Sequence, residues 1–223
     1  MPATNPRSKL YPYIWEAMKC SLLAHLALLV IAASTGCKVQ QLVSLPKDVP
    51  IITRQEWGAV PSVLPMRKHV PQQITIHHTA VKQAPARSMA EKLKGLQKFS
   101  IERSQLASGK VKEPWADIPY HFYIAVDGAI GEGRPLQYVG DSNTPYNPSG
   151  HALIVLEGNF ENEALTDSQY QSLQKLVISI ARQYRIAPDK ISGHKDHADT
   201  ACPGTNLYAL IPQLKQVVAG LSN

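Results

Sequence analysis

The segment Gln73-Ile74-Thr75-Ile76-His77-His78-Thr79 decides how the rest of the chain is read. Its apolar and β-branched residues predict a strand, and two adjacent imidazoles stand at its end. Side chains alternate across a strand, so only one of His77 and His78 can face a given site. Downstream, the helical spacing of Met89, Leu93, Leu96 and Phe99 predicts a helix over residues 88–108. Residues 120–126 read as a strand closed by Asp127-Gly128, a strong hairpin signal. The apolar run at 152–156 suits a buried strand. Thr166, with Gln169 three residues on, forms a capping box ahead of the stripe Leu173, Leu176, Val177, Ile180 and Tyr184. Residues 206–221 read as a last helix with Pro212 inside it. Strands and helices alternate, which implies an α/β domain with a single mixed central β-sheet flanked by helices.

The composition fits that reading. A chain of 223 residues, 44% hydrophobic and 18% charged, suits one ordinary domain and excludes a disordered protein. With 23 Lys and Arg against 17 Asp and Glu, the net charge is +6. That favours an anionic partner, but the excess is too small to choose among cell wall, membrane surface and nucleic acid.

The amino-terminal segment reads as a targeting signal. Residues 21–35 are an apolar stretch containing one His, preceded by Lys19, which is short for a membrane span and right for a signal core. Met18-Lys19 would begin a compact signal, which points to Met18 as the true start. The core ends in Ser34-Thr35-Gly36-Cys37, similar to a bacterial lipobox in which the Cys is lipidated. The alternatives are an uncleaved anchor or an ordinary signal. We therefore expect a lipoprotein signal at 1–36, lipidation at Cys37, a tether over 37–50 broken by Pro46 and Pro50, and a domain over 51–223. Lys38 at the second mature position is compatible with the outer membrane, facing the periplasm. Cys20 leaves with the signal and Cys37 carries lipid, so Cys202 has no disulfide partner and calls for a reason such as metal ligation.

The chemistry-bearing residues gather in Ile76-His77-His78-Thr79 and in Gly193-His194-Lys195-Asp196-His197-Ala198-Asp199-Thr200-Ala201-Cys202-Pro203-Gly204. Two imidazoles and a thiolate, with a fourth position for water, have the general form of a catalytic zinc site. His194 and Cys202 are too far apart for one helical turn, so a loop must bring them together. On spacing alone the metal reading and a pair of satisfied core histidines both stand. A Cys nucleophile is the poorer reading, since no partner arrangement for it is recognisable.

Five segments, in order, carry a family resemblance. They are Thr53-Arg54-Gln55-Glu56-Trp57-Gly58-Ala59, the His77 strand, Asp117-Ile118-Pro119-Tyr120-His121-Phe122 with Asp127-Gly128 through Glu132-Gly133-Arg134, Glu157-Gly158-Asn159-Phe160, and the 193–204 loop. Together they resemble the zinc-dependent N-acetylmuramoyl-L-alanine amidases, the family that includes the peptidoglycan recognition proteins and phage lysozyme-type amidases. The resemblance spans residues 51–215. It implies that fold, with one zinc per chain held by His77, His194 and Cys202, Tyr120 beside the metal, and Thr200 at a position filled by Lys or Thr. It also implies hydrolysis of the amide between N-acetylmuramic acid and L-alanine in peptidoglycan or its fragments. Glu157, at a strand end, is a candidate general base; its plainer reading is a surface Glu. His78, His121, His151 and His197 match no ligand and are expected at the surface or behind the ligands. The partners implied are peptidoglycan or muropeptides and, through the lipid, a membrane; no nucleic acid is expected, and the chain is expected to be a monomer. Two departures stand out. Asp141-Ser142-Asn143 replaces a frequent His-Ala pair that lines the groove, and residues 108–115 form a longer connection that can wall it. The alternatives to catalysis are a peptidoglycan-binding module and a zinc hydrolase of another amide.

Overall fold

The computed structural model describes residues 43–106 and 109–220. The expected signal at 1–36, Cys37 and residues 38–42 of the tether lie outside the described residues. No helix among the described residues is long and apolar enough to cross a membrane.

A five-stranded sheet organises the chain. Its strands are β1 (Gln73–His78), β4 (Phe122–Ile124), β5 (Ile130–Glu132), β6 (His151–Leu156) and β7 (Ile191–Gly193), in the spatial order β5-β4-β6-β1-β7. β4, β6, β1 and β7 run parallel, and β5 joins antiparallel through the Asp127-Gly128 turn, where Gly128 holds φ +85°. A Cβ at Gly128 would lie 2.7 Å from the Ser168 carbonyl oxygen, so only glycine fits. The mixed sheet is the one expected from the sequence.

The two faces of this sheet are covered differently. One face presents Ile74, Ile76, Phe122, Ile124, Ala152, Ile154 and Leu156 to the main core. There α3 (Asp167–Tyr184) contributes its whole stripe, Leu173, Leu176, Val177, Ile180 and Tyr184, behind the Thr166–Gln169 capping box. On the other face, Tyr123 and Val155 pack with Trp57 of α1 (Arg54–Trp57) and Leu93 of α2 (Met89–Ile101). The rest of that face carries Thr75, His77, His121 and His151, all buried. His121 is held neutral there, because its Nδ1 accepts from the Leu153 N–H while its Nε2–H donates to the Tyr138 carbonyl. Burial pushes its pKa down to about 3.

Three sequence expectations change at their edges. The helix expected over 88–108 ends at Ile101, and the chain turns into a small hairpin of β2 (Ser104–Gln105) and β3 (Val111–Lys112). The Lys112 ammonium terminates it by donating to the helix-end carbonyls of Ser100 and Glu102, and also to the Glu113 carbonyl. Phe99 consequently sits 41% exposed beside Lys112 rather than in the core. The last helix is two, α4 (Thr205–Tyr208) and α5 (Ile211–Ala219). Pro212 falls in the first turn of α5, where its missing N–H is no loss. The strand expected over 120–126 pairs regularly only at Phe122–Ile124.

Residues 43–50 are irregular, as the two prolines demand, yet they belong to the packed unit. Val49 is buried, Val43 and Leu45 pack against the main core, and the Tyr184 hydroxyl accepts the Ser44 N–H and donates to the Ser44 carbonyl. The compact unit thus begins at Val43.

Candidate metal centre

The parallel register of β1 with β7 sets Ile76 opposite Gly193, so His77 and His194 emerge side by side. Their rings lie 4.6 Å apart. The loop that returns Cys202 is closed by its own backbone and side chains. Lys195 donates its N–H to the Cys202 carbonyl, Gly193 donates to Asp196, and the Tyr208 hydroxyl donates to the other Asp196 oxygen. At Gly204, with φ +89°, a Cβ would stand 2.5 Å from the Phe160 backbone, which is why the loop closes on glycine.

One donor atom from each of His77, His194 and Cys202 lies within 4.8 Å of the others. Cys202 Sγ is 3.6 Å from His77 Nδ1. Zinc bonds of about 2.05 Å to nitrogen and about 2.3 Å to sulfur, at a tetrahedral angle, set those two atoms about 3.6 Å apart. His194 Nε2 is taken by Thr144 Oγ1 at 2.6 Å, which leaves Nδ1 as its free donor atom. The donor set therefore fits zinc. Burial holds His77 well below the usual histidine range and lowers His194 to about 4, so both imidazoles are neutral, the ligand form. Burial also pushes the Cys202 thiol up to about 12, although the His78 N–H, 3.5 Å from the sulfur, favours the thiolate. Coordination by a cation would remove that proton.

His78 points to the opposite face, as strand alternation requires. Its Nδ1 accepts from the Phe160 N–H and its ring stacks near Phe160. Tyr120 stands beside the ligands, its ring centroid 5.0 Å from that of His77. Burial, and then the neighbouring Cys202, keep its phenol protonated. Its backbone is fixed by the Arg134 N–H, and Gly133 is forced, since a Cβ there would meet the Tyr120 carbonyl oxygen at 2.3 Å. The Thr200 hydroxyl accepts the Cys202 N–H at 3.2 Å and is half-buried, which leaves its proton for another partner.

A family profile described as N-acetylmuramoyl-L-alanine amidase matches residues 67–205. The chain belongs to the N-acetylmuramoyl-L-alanine amidase family. It is 29% identical over 175 residues to peptidoglycan-recognition protein SD of Drosophila simulans, covering 77% of this chain and 89% of that one. It is also 29% identical over 168 residues to an N-acetylmuramoyl-L-alanine amidase of Mus musculus, covering 71% of this chain and 29% of the longer mouse protein. The crystal structure of Drosophila peptidoglycan recognition protein SD superposes with a TM-score of 0.62 at 31% identity, covering 74% of this chain and 94% of that one. Peptidoglycan recognition protein LE, solved with tracheal cytotoxin, a monomeric diaminopimelic acid-type peptidoglycan, gives a TM-score of 0.61 at 27% identity, with 73% and 92% covered.

Within this amidase fold the remaining residues find their places. Glu157 is neither a general base nor a surface residue. It is 2% exposed, and its carboxylate pairs with the buried Lys92 ammonium at 2.8 Å while accepting the N–H groups of Ala84 and Val126. Buried, ion-paired and turned toward Lys92, it works to tie α2 to the end of β6. His151 bonds Thr75 and Gln73, and His197 bonds Ser192, so neither is a ligand.

Two residues that sequence reasoning missed, Thr144 and Tyr146, complete the surroundings. The Tyr146 ring lies 5.1 Å from His194 and 5.6 Å from His197, and its hydroxyl is buried without a partner among the described residues. Tyr146 also lines a cavity of about 430 Å³ with Met66, Arg67, Trp115, Asp141 and Ser142. Trp115, at the end of the longer connection, forms one wall of this cavity. Both departures from the family pattern border this cavity.

The Glu157 assignment has a direct test. Glu157→Gln strands a buried ammonium, so we expect a stability loss of about 3 kcal/mol in chemical denaturation. Zinc content and turnover by the folded fraction should stay at wild-type levels. A well-folded Gln variant with turnover reduced 100-fold would restore a catalytic role.

Proposed function

We propose that the protein is a zinc-dependent N-acetylmuramoyl-L-alanine amidase that cleaves the bond between N-acetylmuramic acid and L-alanine in peptidoglycan or its fragments. The observation that carries this reading is the complete donor set of His77, His194 and Cys202, gathered within 4.8 Å and beside Tyr120. Zinc held there would supply a Lewis acid and an acidified water. The chain's own residues do the rest. Tyr120, kept neutral, donates its O–H to the oxygen on which charge develops as the amide carbonyl is attacked. Thr200 directs its remaining proton toward water or substrate. The cavity beside Tyr146 receives part of the muropeptide, consistent with the peptidoglycan fragment bound by the LE relative.

A second reading is specific enough to keep. Several similar proteins are peptidoglycan recognition proteins, so a module that binds wall without cutting it shares the same fold. The intact donor set favours hydrolysis. We further propose that the chain works as a monomer, anchored through a lipid on Cys37 at the outer membrane and facing the periplasm. Labelled palmitate should enter the wild type and not Cys37→Ala; a wild type without label overturns anchoring.

Two variants separate the readings of the site. Purified protein should hold about one zinc, lose activity to a chelator and recover it on zinc addition. Cys202→Ser should remove most metal and activity together; full activity in that variant overturns the ligand assignment. Tyr120→Phe keeps the ring and the donor set. Its kcat on defined muropeptides should fall on the order of 10- to 1000-fold, with zinc content and wall binding unchanged. Wall binding without any hydrolysis by zinc-loaded wild type would favour the recognition module.

A further inference from the structure

The loop that departs from the family pattern reaches the metal centre from behind. Thr144 Oγ1 lies 2.6 Å from His194 Nε2 and 2.7 Å from Ser142 Oγ, and the Thr144 N–H donates to the same Ser142 oxygen at 3.1 Å. Ser142 Oγ therefore holds Thr144 by both its backbone N–H and its hydroxyl. The loop itself is anchored where Asp141 pairs with the buried Arg134 guanidinium. On the other flank of the His194 ring, Tyr146 packs against it at 5.1 Å.

We propose that Thr144, backed by Ser142, is a positioning residue that fixes the His194 ring with Nδ1 turned toward the metal. A metal on Nδ1 requires the proton on Nε2, and a ring N–H needs an acceptor. Thr144 Oγ1 is that acceptor, and its own O–H can pass on to Ser142 Oγ. In this polarity the His194 ring N–H and the Thr144 O–H each have an acceptor, N–H to hydroxyl to hydroxyl. No contact between Thr144 and substrate is needed, so its effect is on the ligand rather than on the reacting atoms. The inference rests on the zinc reading above.

The test is zinc affinity of the full chain, measured by competition with a chromophoric chelator. Thr144→Val keeps the branched shape and removes the acceptor, and we expect affinity to fall about 10- to 100-fold. Thr144→Ser should restore it close to wild type. Ser142→Ala, which removes only the outer link, should fall in the same direction by less. In the zinc-loaded protein the His194 Nε2–H should give a slowly exchanging, downfield imidazole resonance in the wild type and Ser variant, and lose that protection in the Val variant. A Val variant with wild-type affinity and an unchanged resonance overturns this role while leaving the zinc reading intact. Unchanged affinity with a raised KM makes Thr144 a substrate contact and also overturns it. A wild type that holds no zinc overturns both.

Discussion

The parallel pairing of β1 with β7 is the constraint on which the candidate metal centre depends. With Ile76 opposite Gly193, each strand delivers its next residue to the same end of the sheet. His77 and His194 are thereby neighbours through backbone hydrogen bonding alone, before any loop contributes. A one-residue slip of β1 would send His77 to the helix-packed face and place His78 at the centre. The apolar residues of the opposite face, Ile74 and Ile76, forbid that slip because they are sealed beneath α3. Core burial and the pairing of His77 with His194 are thus one choice of register, and Cys202 needs only a loop that closes on itself to join them.

Arg134 plays the corresponding part for the surroundings. Its guanidinium is buried and donates to the carbonyls of Asp117, Ile118 and Val139 and to the Asp141 carboxylate, while its backbone N–H holds the Tyr120 carbonyl. Arginine can satisfy so many acceptors because its planar fork presents five donors. The segment leading to Tyr120 and the loop leading to Thr144 are therefore pinned to a common charge. A buried cation is tolerable here because it is paired and its donors are bonded.

The fold was readable because its signals are local. Alternation at 73–78, the Asp127-Gly128 turn and the Thr166–Gln169 box each act within a few residues, and each appears where the sequence placed it. The edges that moved were set by distant partners. Lys112 ends α2 from beyond the helix, which no spacing within residues 88–108 could announce. The donor set was legible only as a pattern of residue types joined to a family resemblance, since β1 and the 193–204 loop meet through tertiary pairing. Glu157 was misread because a carboxylate at a strand end looks the same in sequence whether it faces solvent or Lys92. Thr144 carried no signal at all, being one hydroxyl in a polar loop whose partner lies fifty residues on.

The burial of Cys202 also governs how an unpaired sulfur survives in this fold. It is the one cysteine among the described residues and has no disulfide partner. Oxidants and disulfides react with thiolates, not thiols, and burial pushes this thiol up to about 12. A sulfur kept in that form is a poor target for sulfenic acid formation and for mixed disulfides. The same low-dielectric setting that makes the bare thiolate unfavourable strengthens its attraction to a divalent ion once one arrives. Resistance to oxidation as a thiol and strength as a ligand in the thiolate form would both follow from one buried sulfur.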